Sequence, residues 1–102
     1  METVLTLKDS IDYSSGATVS KIITKNKNGS TTLFSFDQGE NLSEHTAPFD
    51  ASVLILEGTC EISIAGEPHL LSEGQLITMP ANVSHALEAV SPFKMLLIMI
   101  RE

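Results

Sequence analysis

Turn residues punctuate this chain at short intervals, and that rhythm constrains its fold more than any other feature. The pairs Asn28-Gly29, Gln38-Gly39, Glu57-Gly58, Ala65-Gly66 and Glu73-Gly74 separate runs rich in Val, Ile, Thr and Phe. Gly and Asn tolerate the backbone angles of tight turns, whereas β-branched and aromatic residues favour a pleated surface. The runs at 4–7, 18–25, 31–37, 52–57, 60–65, 69–71, 75–79, 84–90 and 93–100 therefore read as strands, and nowhere does a helical period persist. Many short strands joined by tight turns pack as a sandwich or barrel, so the predicted class is all-β. Asn28-Gly29 can supply the positive φ angles of a tight hairpin, which predicts that 18–25 pairs with 31–37. By the same logic Ala65-Gly66-Glu67-Pro68 joins 60–65 to 69–71.

At 102 residues the sequence accommodates one domain with one core. Residues 16–102 form the expected barrel. Residues 1–15, with Asp9, Ser10, Asp12, Ser14 and Ser15 in quick succession, read as a loosely anchored segment that can lend an edge strand to a dimer. Two runs, Val53-Leu54-Ile55-Leu56 and Met95-Leu96-Leu97-Ile98-Met99-Ile100, lose the alternation of a half-exposed strand, so each is expected to be covered on both faces. A homodimer would cover the second face; the alternative is that the amino-terminal segment shields it.

A net charge of −7 repels a phosphate backbone and leaves no basic stripe, which argues against nucleic acid as a partner. No apolar run approaches the roughly 18 residues of a membrane span. The opening METVLTLKDS lacks a basic region followed by an apolar one, so a cytoplasmic location is expected. The lone Cys60 suits a reducing compartment and reads as a core thiol rather than a nucleophile, having no basic neighbour in sequence.

Two histidines stand out against this background. His45 follows Gly39 by six positions and precedes Leu56-Glu57-Gly58; His85 follows Gly74 and Pro80. This combination of Gly39, His45, Gly58, Gly74, Pro80 and His85 resembles the two motifs of the cupin superfamily, over residues 39–58 and 74–89. The resemblance implies an RmlC-like jelly-roll β-barrel, often dimeric, whose interior holds a small ligand and commonly a divalent transition metal: iron, manganese, nickel, zinc or copper. It also implies metal ligands at four positions, which here are His45, Ala47, Ala51 and His85. Two of those are alanines, whose methyl groups donate nothing. An ordinary transition-metal site needs at least one further donor. Asp50 is the nearest candidate, although strand parity turns it away from Ala51, as it does Glu44 from His45, unless a bulge re-aims it. His69, just after a turn, is expected at a strand edge.

Two chemistries remain open for His45 and His85. With an outside donor or water they can hold a metal. Without one, they line an apolar cavity as hydrogen-bonding groups, and imidazole, which ordinarily titrates near neutral pH, can act as general acid or base. The expected walls are Phe34, Phe36, Val53, Ile55, Met79 and Leu87. These readings correspond to a small-molecule enzyme, either a quercetin-dioxygenase-like oxygenase or a metal-free isomerase, and to a non-enzymatic ligand-sensing module; a filled, purely structural barrel is a third.

Overall fold

The structure is a computed structural model that describes residues 4–101. Its strands are β1 (Thr18–Asn26), β2 (Gly29–Phe36), β3 (Asn41–His45), β4 (Asp50–Glu57), β5 (Thr59–Ile64), β6 (Glu67–Ser72), β7 (Leu76–Met79), β8 (His85–Ala89) and β9 (Phe93–Ile100). They form a five-stranded sheet in the order β1-β2-β9-β4-β7 and a four-stranded sheet in the order β3-β8-β5-β6. Every pairing is antiparallel. The two sheets face one another in a jelly roll, an all-β fold as the strand pattern predicts and the one the resemblance implies.

Alternation along the strands fills the space between the sheets. Phe36, Val53, Ile55, Phe93 and Met95 come from the first sheet, and Cys60, Ile62, Leu71, Leu87 and Ala89 from the second; all are buried in one cluster. The rings of Phe36 and Phe93 stack at 4.7 Å and 5°. Burying a side chain of this size contributes roughly 1.5–3 kcal/mol, so this stratum holds the sheets together.

Two turns differ in an instructive way. At the β5–β6 hairpin both Ala65 and Gly66 have positive φ (51° and 82°), the backbone of a two-residue turn that suits the twist of its flanking strands. At the β1–β2 hairpin the expected strand pairing is found, with Asn26 opposite Gly29, but neither Asn28 nor Gly29 has positive φ. A local bond braces this turn: the Asn26 side-chain oxygen accepts the Asn28 N–H at 2.7 Å. Gly29 instead begins β2, where an added Cβ would lie 2.2 Å from the Met99 carbonyl oxygen.

The amino-terminal segment also departs from expectation. In place of a strand at 4–7 there is a short 3-10 turn, Leu7–Asp9, closed by the Asp9 N–H to the Thr6 carbonyl and the Ser10 N–H to the Leu7 carbonyl. The Ser10 hydroxyl also donates to the Thr6 carbonyl, and such local bonds compete with a sheet ladder. Rather than lying loose, the segment crosses the outer face of the first sheet. Ile11 is buried, the Ser35 hydroxyl donates to the Asp12 carbonyl at 2.7 Å, and the ammonium groups of Lys21 and Lys94 donate to the carbonyls of Ser10 and Lys8. Lys94, 8 % exposed, also pairs with Glu57 at 3.9 Å and lies 5.0 Å from the Tyr13 ring centre. The Tyr13 hydroxyl donates to Glu57, and burial, reinforced by that bond and the carboxylate charge, raises the phenol well above its ordinary range.

This cover is partial. It shields Leu33, Ser35 and Lys94, whereas farther along the same face Leu54, Leu96 and Ile98 are half-buried and Leu76 and Ile100 exposed. Apolarity on both sides of β4 and β9 therefore has two sources, the folded-back segment at one end and an open apolar surface at the other.

Candidate functional site

The site begins with an irregularity in β3. Asn41 pairs with Glu88 and Leu42 with Leu87, but the next matched pair is His45 with His85, so the ladder slips between Leu42 and His45. One extra residue on β3 reverses parity. His45, three positions beyond Leu42, thereby joins Leu42 on the inner face instead of turning to the outside. On β8 the alternation is regular, and His85 shares its face with Leu87.

The two imidazoles are thus a cross-strand pair, their ring centres 4.2 Å apart and their planes at 69°. His45 is exposed and His85 half-buried. Each Nδ1 meets a backbone carbonyl two residues earlier, Ser43 at 2.7 Å for His45 and Val83 at 3.2 Å for His85. A carbonyl can only accept, so Nδ1 carries the proton in both rings, and each neutral imidazole keeps its lone pair on Nε2. Backbone contacts of this kind also fix ring orientation.

The loop between β7 and β8 holds the two halves of the site together. The Asn82 N–H donates to the Ala47 carbonyl at 2.8 Å, and the Ala81 N–H donates to Asp50 Oδ1 at 2.9 Å. Asn82 takes a φ of 64°, which asparagine tolerates better than most residues. Asp50 is exposed, on the opposite face of β4 from the buried Ala51, and its carboxylate fastens this loop. Glu44 lies exposed within the bulge, and His69 is half-buried on the edge strand β6. Among the described residues, no group of three or more His, Cys, Asp or Glu side chains could hold a metal ion. The nitrogen and carboxylate donor set implied by the motif is therefore incomplete: His45 and His85 supply two donors, and Ala47 and Ala51 none.

Behind the histidines lies a small apolar cavity of about 60 Å³. Phe34, Val53, Met79 and Leu87 line it as expected, together with Leu42, Ala51, Ala86, Met95 and Leu97. Phe36 and Ile55, also expected there, are packed in the core below. Met95 and Leu97 were legible in principle, since they alternate with Leu96 along β9; Leu42 and Ala86 depend on the β3–β8 register. A larger depression of about 310 Å³ lies among Asn41, Ser43, Glu61, Ser63 and Glu88 on the outer face of the second sheet. It is an open trough of polar and acidic side chains, and neither histidine lines it. The smaller cavity, where apolar walls meet two oriented bases, is the better candidate site. Cys60 lies in the core instead, fully buried, with its thiol pushed up to about 12 by that burial, so it is no nucleophile.

Comparison with known proteins agrees with this fold. The Cupin domain family matches residues 32–100. A conserved protein of unknown function from Streptococcus pyogenes is 36% identical, with a TM-score of 0.94 over 100% of this chain and 90% of its own. A cupin 2 conserved barrel domain protein from Leptotrichia buccalis is 37% identical at a TM-score of 0.92, over 95% of this chain, which spans only 47% of that longer protein. A cupin superfamily protein from Desulfitobacterium hafniense is 28% identical, with a TM-score of 0.93 over 100% of this chain and 94% of its own. Among curated proteins none matches. With the two motifs in place on a jelly roll and the family matched across most of the sequence, the chain belongs to the cupin family.

Proposed function

We propose that this cupin binds a small, partly apolar molecule at the His45–His85 pair. The observation that carries the reading is the commitment of both Nδ1 atoms to backbone carbonyls, which leaves two Nε2 lone pairs together beside an apolar cavity. Such a site favours a ligand whose O–H or N–H group donates to Nε2 while a small apolar end enters between Ala51, Met79 and Leu87. A cavity of about 60 Å³ admits only the end of a molecule, so the remainder lies over the exposed His45.

The same pair supports a catalytic version, in which one imidazole removes a proton from the bound molecule and its neighbour returns one. This is the metal-free isomerase reading; ligand sensing is the same binding step without turnover. The test is a fragment screen on metal-free protein, followed in backbone and methyl NMR spectra. Ligands should shift His45, His85 and Met79 together, and His45→Ala or His85→Ala should weaken binding at least tenfold. Binding that ignores both substitutions would remove this reading.

We also propose that the chain forms a homodimer through the open apolar end of the first sheet. Support comes from Leu54, Leu76, Leu96, Ile98 and Ile100 on one face, with Leu76 and Ile100 53 % and 63 % exposed. Sedimentation of the protein and of Leu76→Glu tests it: the substitution should yield monomer, and a monomeric parent chain would overturn it. A cytoplasmic setting accords with the single, free, buried cysteine. Among the described residues no helix is long and apolar enough to cross a membrane.

A further inference from the structure

The inner face of the first sheet ends in positive charge, and an irregularity in β1 puts it there. Lys21 points to the outer face, where its ammonium donates to the Ser10 carbonyl. Unbroken alternation would send Lys25, four positions on, the same way. The ladder slips instead between Ile22 and Thr24, two steps along β1 matching one along β2, so that Lys25 pairs with Ser30 and turns inward. From there one rung crosses the sheet: Ser30 lies opposite Met99, Met99 opposite Ala51 and Ala51 opposite Met79. Paired residues share a face, so Lys25 heads an inward-facing row whose other end, Ala51 and Met79, walls the histidine cavity.

Arg101 joins Lys25 at this end. Its backbone N–H donates to the Asn28 carbonyl at 2.7 Å, and its guanidinium lies 4.4 Å from the centre of the Phe49 ring, a cation–π contact that restrains a long side chain. Lys25, Ser30, Phe49, Met99 and Arg101 line one pocket of about 50 Å³. Among the described residues neither cation has a carboxylate within ion-pair distance; the pair found there is Lys94 with Glu57. Asp50, next to Phe49 in sequence, is on the outer face of β4 and accepts the Ala81 N–H. In a chain with 13 acidic and 6 basic residues, two cations converging on one pocket without an acidic partner are placed to receive an anion.

We propose that the molecule bound at the His45–His85 pair is an organic carboxylate. Lys25 and Arg101 hold its carboxylate, its apolar stem lies over Met99 and Ala51, and a hydroxyl at its far end donates to a histidine Nε2. The inference rests on the small-molecule reading and adds the charge and span of the ligand. Three strand spacings, about 14 Å, separate Lys25 from Ala51, and the lysine side chain covers part of that, which leaves a stem of roughly six to eight carbons.

The experiment is calorimetric titration of the whole chain with ω-hydroxyoctanoate and with α,ω-octanediol, an uncharged molecule of the same length. Both cations are exposed, so their contribution is screened; the acid should still bind about tenfold tighter than the diol at low salt, and the advantage should shrink as salt is raised. Lys25→Gln with Arg101→Gln should bring the acid down to the affinity of the diol. Lys27→Gln, in the same hairpin but outside the pocket, should preserve the difference. In the parent protein the acid should move the Ser30 amide and Met99 methyl signals together with the His45 ring, and His45→Ala should weaken acid and diol alike. Equal affinity for acid and diol, an advantage that survives the double substitution, or no binding of the acid would each overturn the carboxylate assignment. Diol binding that still depends on His45 would then leave the small-molecule reading standing. An acid held through Lys25 and Arg101 but indifferent to His45→Ala would overturn the proposal by the other route, through failure of the histidine pair.

Discussion

Replacing Gly58 by alanine should be among the most damaging single-methyl additions in this protein, and a matched control separates its two causes. Gly58 has a φ of 82°, and a Cβ there would lie 2.1 Å from the Pro92 carbonyl oxygen, 2.7 Å from Phe93 Cβ and 2.8 Å from Phe93 Cα. Gly66 has the same φ of 82°, yet nothing stands within 4 Å of its would-be Cβ. Forcing an L-residue into this backbone region costs roughly 1–2 kcal/mol, partly offset by about 0.4–1 kcal/mol from the stiffer unfolded chain. Gly66→Ala should therefore lose about 1 kcal/mol. Gly58→Ala carries the same strain plus overpacking of roughly 1–3 kcal/mol, because the obstructing atoms are mainly backbone and Phe93 is locked against Phe36. The expected gap between the variants is about 2 kcal/mol, or roughly 10 °C in Tm for a domain of this size. Urea unfolding followed by circular dichroism, with thermal melts alongside, measures it. Equal destabilisation by the two alanines would refute the close-approach argument and leave backbone strain as the whole effect.

Other expected outcomes follow from the outer face and the core. Lys94→Met should remove the charge-assisted bond to the Lys8 carbonyl and the partner of Glu57, at a cost of about 2 kcal/mol; hydrogen exchange should then quicken in residues 7–13 before it does in the barrel. Because burial raises the Cys60 thiol from 9.0 to about 12, its folded form stays protonated where the unfolded chain ionises. That contribution is intact below pH 9 and is lost as pH rises toward 12, so the parent should lose more stability over this window than Cys60→Ala, as urea midpoints at each pH would reveal. Ala65→Asn should stabilise the β5–β6 turn by about 0.5 kcal/mol, because asparagine tolerates the left-handed region better than alanine; a lowered urea midpoint would contradict this.

Sequence pattern alone was enough for an all-β sandwich or barrel, because most of its strands announce themselves through β-branched runs bounded by turn residues, and the resemblance of the two motifs narrowed this to a jelly roll. The strand that carries His45 gave no such sign. Asn41–His45 contains a single apolar residue, Leu42, and lies at the edge of its sheet, so neither composition nor alternation marks it. Its slipped register is a property of the pairing with β8 and is written in neither strand separately. Likewise Gly29 looked like a turn residue, whereas its lack of a side chain serves the approach of Met99, a partner seventy positions away in sequence. The histidines themselves were identifiable by spacing. Their mutual orientation was not, since it depends on which carbonyls happen to lie beside each Nδ1.

The extra residue in β3 makes the site tolerant of a change in strand length. Removing Glu44 would bring the imidazole to two positions beyond Leu42, where unbroken alternation still presents it to the inner face opposite His85. In a lineage of such barrels, the loss of one codon at Ser43 or Glu44 is therefore absorbed by the bulge, and the histidine pair keeps its face while the rest of the ladder stays undisturbed.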